Sequence, residues 1–332
     1  MSSRKPWRLA GALALALALT ATGCGSGDSA DKSDTAQTRV FKADNGDITI
    51  PADPERVVAT GYAVPALIEA DAALVGISTW ERGLPLMTDE DRAAYDKLEK
   101  IAGASAAETN YEAIAAVKPD LIVIGVPKPA LAQLDLKRLE SIAPVVAVGP
   151  TTPDAWRDLT RLQSDAAGRL EEFEDAENAY EKKAKEIADK YKDVLTGLDF
   201  GHVGAYGEIE AGSFHREFGG SWGTNIAEDI GVKYYGEVKE KGQGALAVSE
   251  YPSIEELPES LGDADAITYT LDADGKPSEA VQYVLDSKLW KNLPAVKAGK
   301  VFGLQYTEAA TYASALKTLD SIDKALAPLL NG

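Results

Sequence analysis

The chain has 332 residues, with 53 Asp or Glu against 34 Lys or Arg, for a formal net charge of −19. So acidic a chain lacks the basic face that phosphate contacts need, which excludes nucleic acid as a partner, and its charge reads as solubility outside the cell. The single cysteine rules out an internal disulfide, so a hydrophobic core must hold the fold, and the length allows one large domain or two smaller ones.

Residues 1–23 differ from the rest. Arg4, Lys5 and Arg8 precede a run of Leu and Ala over 9–20, and Ala21, Thr22 and Gly23 follow. A basic start, a short apolar run and small residues make a secretory signal peptide. The run is too short to span a hydrocarbon layer of roughly 30 Å, so 1–23 is expected to be removed. Cys24 stands at the junction, before Gly25, Ser26 and Gly27. This resembles the bacterial lipobox, although Ala21 occupies the position where Leu is usual. The resemblance implies that Cys24 becomes a lipidated N-terminus holding the protein on the outer face of the cell membrane, at about 0.8 kcal/mol per buried CH₂. Residues 24–39, mostly Gly, Ser, Ala, Asp, Lys and Thr, form a flexible tether.

An N-terminal lobe is expected over 40–151. A strand is predicted near 47–50, then apolar strands at 57–59, 74–77, 121–124 and 145–148, with helices over 65–70, 111–117 and 131–141 between them. Strands that are apolar throughout and alternate with helices imply a parallel sheet covered on both faces. From 152 to 197 the pattern changes. Pro153 and Asp154 mark a helix start, and Leu159, Leu162, Ala166, Leu170 and Phe173 recur at helical spacing. One long connecting helix is predicted, with a break near Gly168. Alternation resumes over 198–332, with strands near 202–206, 266–269 and 301–304 and helices near 224–230, 280–285 and 309–330. The fold class is α/β: two lobes with mostly parallel central sheets joined by a single long helix.

Three segments carry a family resemblance: Asn110-Tyr111-Glu112-Ala113-Ile114 running on to Lys118-Pro119-Asp120-Leu121-Ile122, Leu139-Glu140-Ser141-Ile142-Ala143-Pro144-Val145, and Leu289-Trp290-Lys291-Asn292-Leu293-Pro294-Ala295-Val296 running on to Gly299-Lys300-Val301. In order and spacing they resemble the iron-siderophore and cobalamin binding proteins, the class III solute-binding lipoproteins of ABC importers. The resemblance implies a monomer of two lobes around a rigid helix, with its ligand in the cleft between them, that delivers cargo to the permease subunits of an ATP-driven importer. It also implies one docking glutamate on each lobe. Glu112 matches the first by position and Glu255 the second, with Glu256 as a substitute.

Ligands of parallel α/β sheets sit beyond the carboxyl ends of the strands. The loops that this rule selects are rich in aromatics and arginine: Tyr62, Trp80, Arg82, Arg216, Trp222, Tyr269, Tyr306 and Tyr312. Such a set suits a ferric siderophore. Its iron is already saturated by the chelator, so the protein supplies no metal ligand and needs no cofactor; it offers aromatic surface to the carbon frame and donors to the oxygens around the metal. The same loops hold Glu81, Glu208, Glu210, Glu217 and Glu308, a mixture that suits a near-neutral or cationic complex and so favours hydroxamates. Cobalamin, haem and catecholate complexes stay open as alternatives. A site for a free transition metal draws on His or Cys, and His202 and His215 are the only histidines. Gly219-Gly220-Ser221-Trp222-Gly223 fits the G-x-S-x-G pattern of serine hydrolases, but no histidine follows Ser221 as that mechanism requires. The chain is read as a binding protein, not an enzyme.

Overall fold

The computed structural model describes residues 37–331. The signal segment, Cys24 and the tether as far as residue 36 lie outside the described residues. The described chain opens with an antiparallel hairpin, β1 (Thr38–Ala43) and β2 (Gly46–Pro51). Its Phe41 and Ile50 are buried in the core of the lobe that follows.

That lobe runs β3 (Val57–Gly61), α1 (Ala63–Glu69), β4 (Leu74–Ser78), α2 (Asp89–Lys97), β5 (Lys100–Ala102), α3 (Tyr111–Ala116), β6 (Leu121–Gly125), α4 (Leu136–Glu140) and β7 (Val145–Ala147). The strands order β5-β4-β3-β6-β7, all parallel. Every residue of β6 is buried, and helices pack on both faces, giving two hydrophobic clusters. Each Val, Leu or Ile buried this way contributes roughly 1.5–3 kcal/mol. The helix predicted over 131–141 is divided: a 3₁₀ turn covers Lys128–Gln133, and α4 starts afresh where the Asp135 side chain accepts the N–H of Arg138, the mark of an N-cap.

The connector is α5 (Trp156–Ala166) and α6 (Leu170–Leu195), broken at Gly168, which sits in the left-handed region at φ +70°. The 26 residues of α6 span about 39 Å at 1.5 Å each. Its buried Phe173, Tyr180, Ala184, Ile187, Tyr191 and Leu195 make one stripe against the second lobe. Leu159 and Ala166 of α5 join the first lobe's core.

The second lobe holds β8 (Phe200–Gly204), β9 (His215–Glu217), α7 (Asn225–Glu228), β10 (Ser249–Glu250), α8 (Leu257–Leu261), β11 (Ala266–Leu271), α9 (Glu279–Asp286), α10 (Lys288–Asn292), α11 (Pro294–Lys297), β12 (Val301–Gln305) and α12 (Tyr312–Leu326). The sheet order is β10-β9-β8-β11-β12. β8, β11 and β12 are parallel, while β9 runs antiparallel to β8 and β10 antiparallel to β9. Where each lobe has its first strand, β3 or β8, a later parallel strand, β6 or β11, adds beside it.

Candidate functional site

The site grows from strand ends. β3 ends at Gly61, whose φ of +61° and lack of a side chain let the chain turn sharply: a Cβ there would lie 2.7 Å from the Gly125 carbonyl oxygen. The next N–H, of Tyr62, donates to that same oxygen at 2.9 Å. β4 ends at Ser78, and the N–H of Trp80 then donates to the Tyr95 hydroxyl at 3.0 Å. These bonds bring Tyr62 and Trp80 edge to face with ring centroids 4.9 Å apart. The Arg82 guanidinium lies 4.7 Å from both rings and donates to the Tyr62 hydroxyl. Each such cation–π contact adds roughly 0.5–2 kcal/mol, so the three side chains form a preorganised platform.

The second lobe meets this platform. Trp222 stacks on Tyr62 with centroids 6.2 Å apart and planes 5° from parallel, and Tyr206 tilts against Trp222 at 5.9 Å. Beside them lies an open cavity of about 540 Å³, within the range of small-ligand sites. Arg82, Pro85 and Leu86 line one wall. Ala205, Thr270 to Asp274, Ser278, and Tyr306 to Glu308, from the ends of β8, β11 and β12, line the other. Tyr306 is held at φ +61°, a strained setting for a bulky residue.

Charge across the cavity is uneven. Arg82 is its one cationic lining residue, and Asp272, Asp274 and Glu308 face it. Burial pushes the Tyr62 hydroxyl up to about 12 despite the pull of Arg82, so the phenol stays protonated. Burial works against the Arg82 charge, but Tyr62 and Glu308 outweigh it and raise its pKa. Burial also raises the pKa of Glu308, with Arg82 opposing.

Of the eight residues that the sequence points to, five gather at the lobe junction: Arg82 and Tyr306 line the cavity, while Tyr62, Trp80 and Trp222 stack beside it with both indoles buried. Three do not, and each is corrected here. Arg216 is fully buried on the far face of β9, where it donates to the carbonyls of His202, Glu217 and Tyr235 and packs over Phe218 at 4.4 Å. Alternation along a strand sends Arg216 to one face and His215 and Glu217 to the other. Tyr269 points away from the cleft by the same rule and sits edge to face with Trp290 at 6.3 Å. Tyr312 opens α12 and packs among Trp156, Phe173 and Tyr180, its hydroxyl donating to Glu177 Oε1 at 2.8 Å; it belongs to the core beneath the connector. Tyr206, outside that set of eight, joins the site because β8 ends at Gly204 rather than running on to 206. The acidic wall residues Asp272 and Asp274 carry no local pattern; only the end of β11 locates them.

Ser221 of the G-x-S-x-G match has no exposed surface, so a substrate has no path to its hydroxyl. His202 is a buried strand residue whose ring nitrogens meet the hydroxyls of Thr268 and Thr270. On the surface, Glu112 lies exposed in the first turn of α3 and pairs with Arg138. Glu255 is exposed before α8 and has no ion pair among the described residues, whereas Glu256 pairs with Lys239 at 2.6 Å and closes a capping box with Ser253.

Two α/β lobes on a helical connector, with a cavity between their strand ends lined by one arginine, Tyr306 and three carboxylates, define a bilobal solute-binding protein. The chain belongs to the periplasmic binding protein family, whose model matches residues 57–307, and so to a class that works outside the cytoplasm. It is 26% identical over 282 residues to the iron(3+)-hydroxamate-binding protein YxeB of Bacillus subtilis, covering 83% of this chain and 80% of the relative. It is 28% identical over 280 residues to the iron(3+)-hydroxamate-binding protein FhuD of the same organism, covering 82% and 81%. Among solved structures, the siderophore periplasmic binding protein of the fuscachelin gene cluster of Thermobifida fusca superposes with a TM-score of 0.66 at 32% identity, over 84% of this chain and 98% of that one.

Proposed function

We propose that this protein captures a ferric siderophore in the cleft and hands it to an ABC importer. The observation that carries the reading is the Tyr62–Trp80–Arg82 platform facing Trp222 beside a cavity of about 540 Å³. Tyr306 on the cavity wall and the half-buried Tyr62 beside it offer aromatic surface to the carbon frame of a chelator, and one guanidinium supplies charge-assisted donors to the oxygens around the iron. The acidic second wall favours a complex of zero or positive charge, which points to hydroxamates; the names of the two Bacillus relatives point the same way. The iron is cargo held by its chelator, and no protein metal ligand or cofactor is needed.

Binding is tested by tryptophan fluorescence. Ferric desferrioxamine should quench the emission of Trp80 and Trp222 with saturation, and a ferric triscatecholate should bind more weakly. A saturable response to cobalamin or haem, with none to any ferric hydroxamate, would sink the reading. For delivery, Glu112 and Glu255 are the docking pair. Each sits in the element that leads into the strand beside its lobe's first strand, β6 or β11, so the two are equivalent points on the two lobes. Glu256 is already committed to Lys239 and Ser253, which favours Glu255. Cys24 is the lipid anchor of this reading. Cys24→Ala should move the folded protein from the membrane fraction to the medium, and retention in membranes would refute the anchor.

A further inference from the structure

Behind the platform lies a buried acid that ligand capture has not yet used. Glu217 closes β9 and is 1% exposed. Its Oε2 accepts the backbone N–H of Gly223, the residue after Trp222. A Cβ at position 223 would fall 2.0 Å from His202 Nε2 and 2.6 Å from Glu217 Oε2, so acid and turn are in direct contact. The other carboxyl oxygen, Oε1, lies 3.2 Å from His215 Nδ1. Neither nitrogen of His215 has a hydrogen-bond partner, although the ring is 1% exposed and stacked flat on Tyr251 at 4.6 Å. A buried polar atom left unpaired is costly, and at 3.2 Å Glu217 Oε1 and His215 Nδ1 are placed to share one proton, carried on either atom.

We propose that Glu217 is the positioning residue of Trp222, and that one proton shared between Glu217 and His215 sets how firmly the 219–223 turn holds the indole against Tyr62. An ionised carboxylate accepts a hydrogen bond about twice as strongly as a neutral acceptor. With the carboxyl ionised, the Gly223 N–H is gripped by a charge; with a proton on Oε1 the grip relaxes, and His215 Nδ1 changes from donor to acceptor.

The surroundings set the pH at which this happens. His202 faces the acid from β8 with Nε2 3.9 Å from Oε2. His215 and Arg216 come from β9, Tyr251 follows β10, Tyr234 packs behind, and Glu308 adds its charge from the cleft. Burial raises Glu217 to about 7, with the Gly223 N–H opposing and Glu308 adding to the rise. Burial lowers His215 to about 3 and holds His202 well below its usual range. Both imidazoles are therefore neutral, and the carboxyl is the group that titrates. It is protonated below about 7 and ionised above, so Trp222 is held more firmly on the alkaline side.

The test begins without ligand. The near-ultraviolet dichroism of Trp222, taken as wild type minus Trp222→Phe, is followed from about pH 5 to about pH 9. One step near neutrality is expected. Glu217→Gln keeps an acceptor for Gly223 but cannot ionise, so its signal should stay at the wild-type acid level throughout. His215→Phe keeps the stack on Tyr251 but removes the proton's second partner, and should move the step along the pH axis. A flat wild-type profile, a step that persists in Glu217→Gln, or a step unmoved by His215→Phe overturns the proposal; should Glu217→Gln fail to fold, the His215→Phe shift still decides it. A second arm rests on the siderophore reading: wild type should bind ferric desferrioxamine about fivefold more tightly on the alkaline plateau, and Glu217→Gln should show no such change. If the ligand-free step behaves as expected while no ferric hydroxamate binds at any pH, the siderophore reading fails and the positioning role stands.

Discussion

The two lobes share a strand plan but place different chemistry at the cleft. The first sheet is parallel throughout, and its strand ends supply a cation wrapped in aromatic rings. The second turns antiparallel at β9, and its strand ends supply carboxylates, with Trp222 mounted on a turn that a buried acid holds. On the function proposed above, one lobe would offer grip and the other would screen charge. The difference lies in the residues after each strand and also in the cores, since the second lobe and the connector pack Phe173, Tyr180, Tyr191, Phe200, Tyr234 and Tyr312 together where the first lobe is mainly aliphatic.

Four measurements would break or sharpen this comparison. The largest effect is expected where the lobes must act together. Glu112→Arg combined with Glu255→Arg should abolish uptake while leaving ligand affinity unchanged, because exposed charges far from the cleft affect partner docking alone; normal uptake at normal protein levels would remove the docking pair. Next, Arg82→Ala should weaken ferric hydroxamate binding by roughly 1.5–3 kcal/mol, the scale of a hydrogen bond to a charged group. Unchanged affinity in calorimetry would mean that the first lobe does not provide the grip. On the opposite wall, Glu308→Gln should improve binding of a ferric triscatecholate relative to a hydroxamate by about fivefold, the scale of one unit charge screened by water. Equal response of both ligands would end the idea of a charge screen.

The smallest effect concerns a contact between the lobes. Glu69 ends α1 of the first lobe, and its Oε1 accepts the N–H of Ala313 in the first turn of α12 at 3.0 Å. Burial raises its carboxyl from 4.5 to about 7. The folded protein therefore keeps a proton that the unfolded chain releases near 4.5, so this group's contribution is full below that pH and is lost as pH rises to about 7. Glu69→Gln should flatten part of the decline in urea midpoint across that window. An unaltered slope would show that Glu69 ionises freely in the folded state. Glu217 and Glu308 titrate with the same sign, while the buried His202 and His215, neutral in the fold, contribute a rise as pH climbs towards 6.5.

Much of the fold was legible because its signals are local. The unbroken apolar runs at β3 and β6, the stripe on α6 and the glycine that splits the connector can each be read from short windows. Tyr62, Trp80 and Arg82 were legible for the same reason, since each follows an apolar strand within a few residues. What escaped depends on tertiary pairing. β9 and β10 are three and two residues long and carry polar side chains, so no pattern announces them. Without β9 in place, the side to which Arg216 points cannot be read, and its neighbours His215 and Glu217 show no sign of the buried pair they form. Tyr312 misled because the end of a helix beside the cleft and the start of a core stripe look alike until the partner, α6, is placed.

The break at Gly168 has a mechanical consequence. Leu159 and Ala166 of α5 share the first lobe's core, but Trp156 and Arg157 in its first turn bond Asn225 and Asp229 of the second lobe, and α6 is held to that lobe by Tyr191, which donates to the Asp323 carbonyl at 2.7 Å, and by the Lys190–Asp323 pair. The connector is thus two rods joined by a pin, with a glycine in the left-handed region as the pin. On the docking proposed above, a transporter touching both Glu112 and Glu255 would read the two lobes on either side of this joint together.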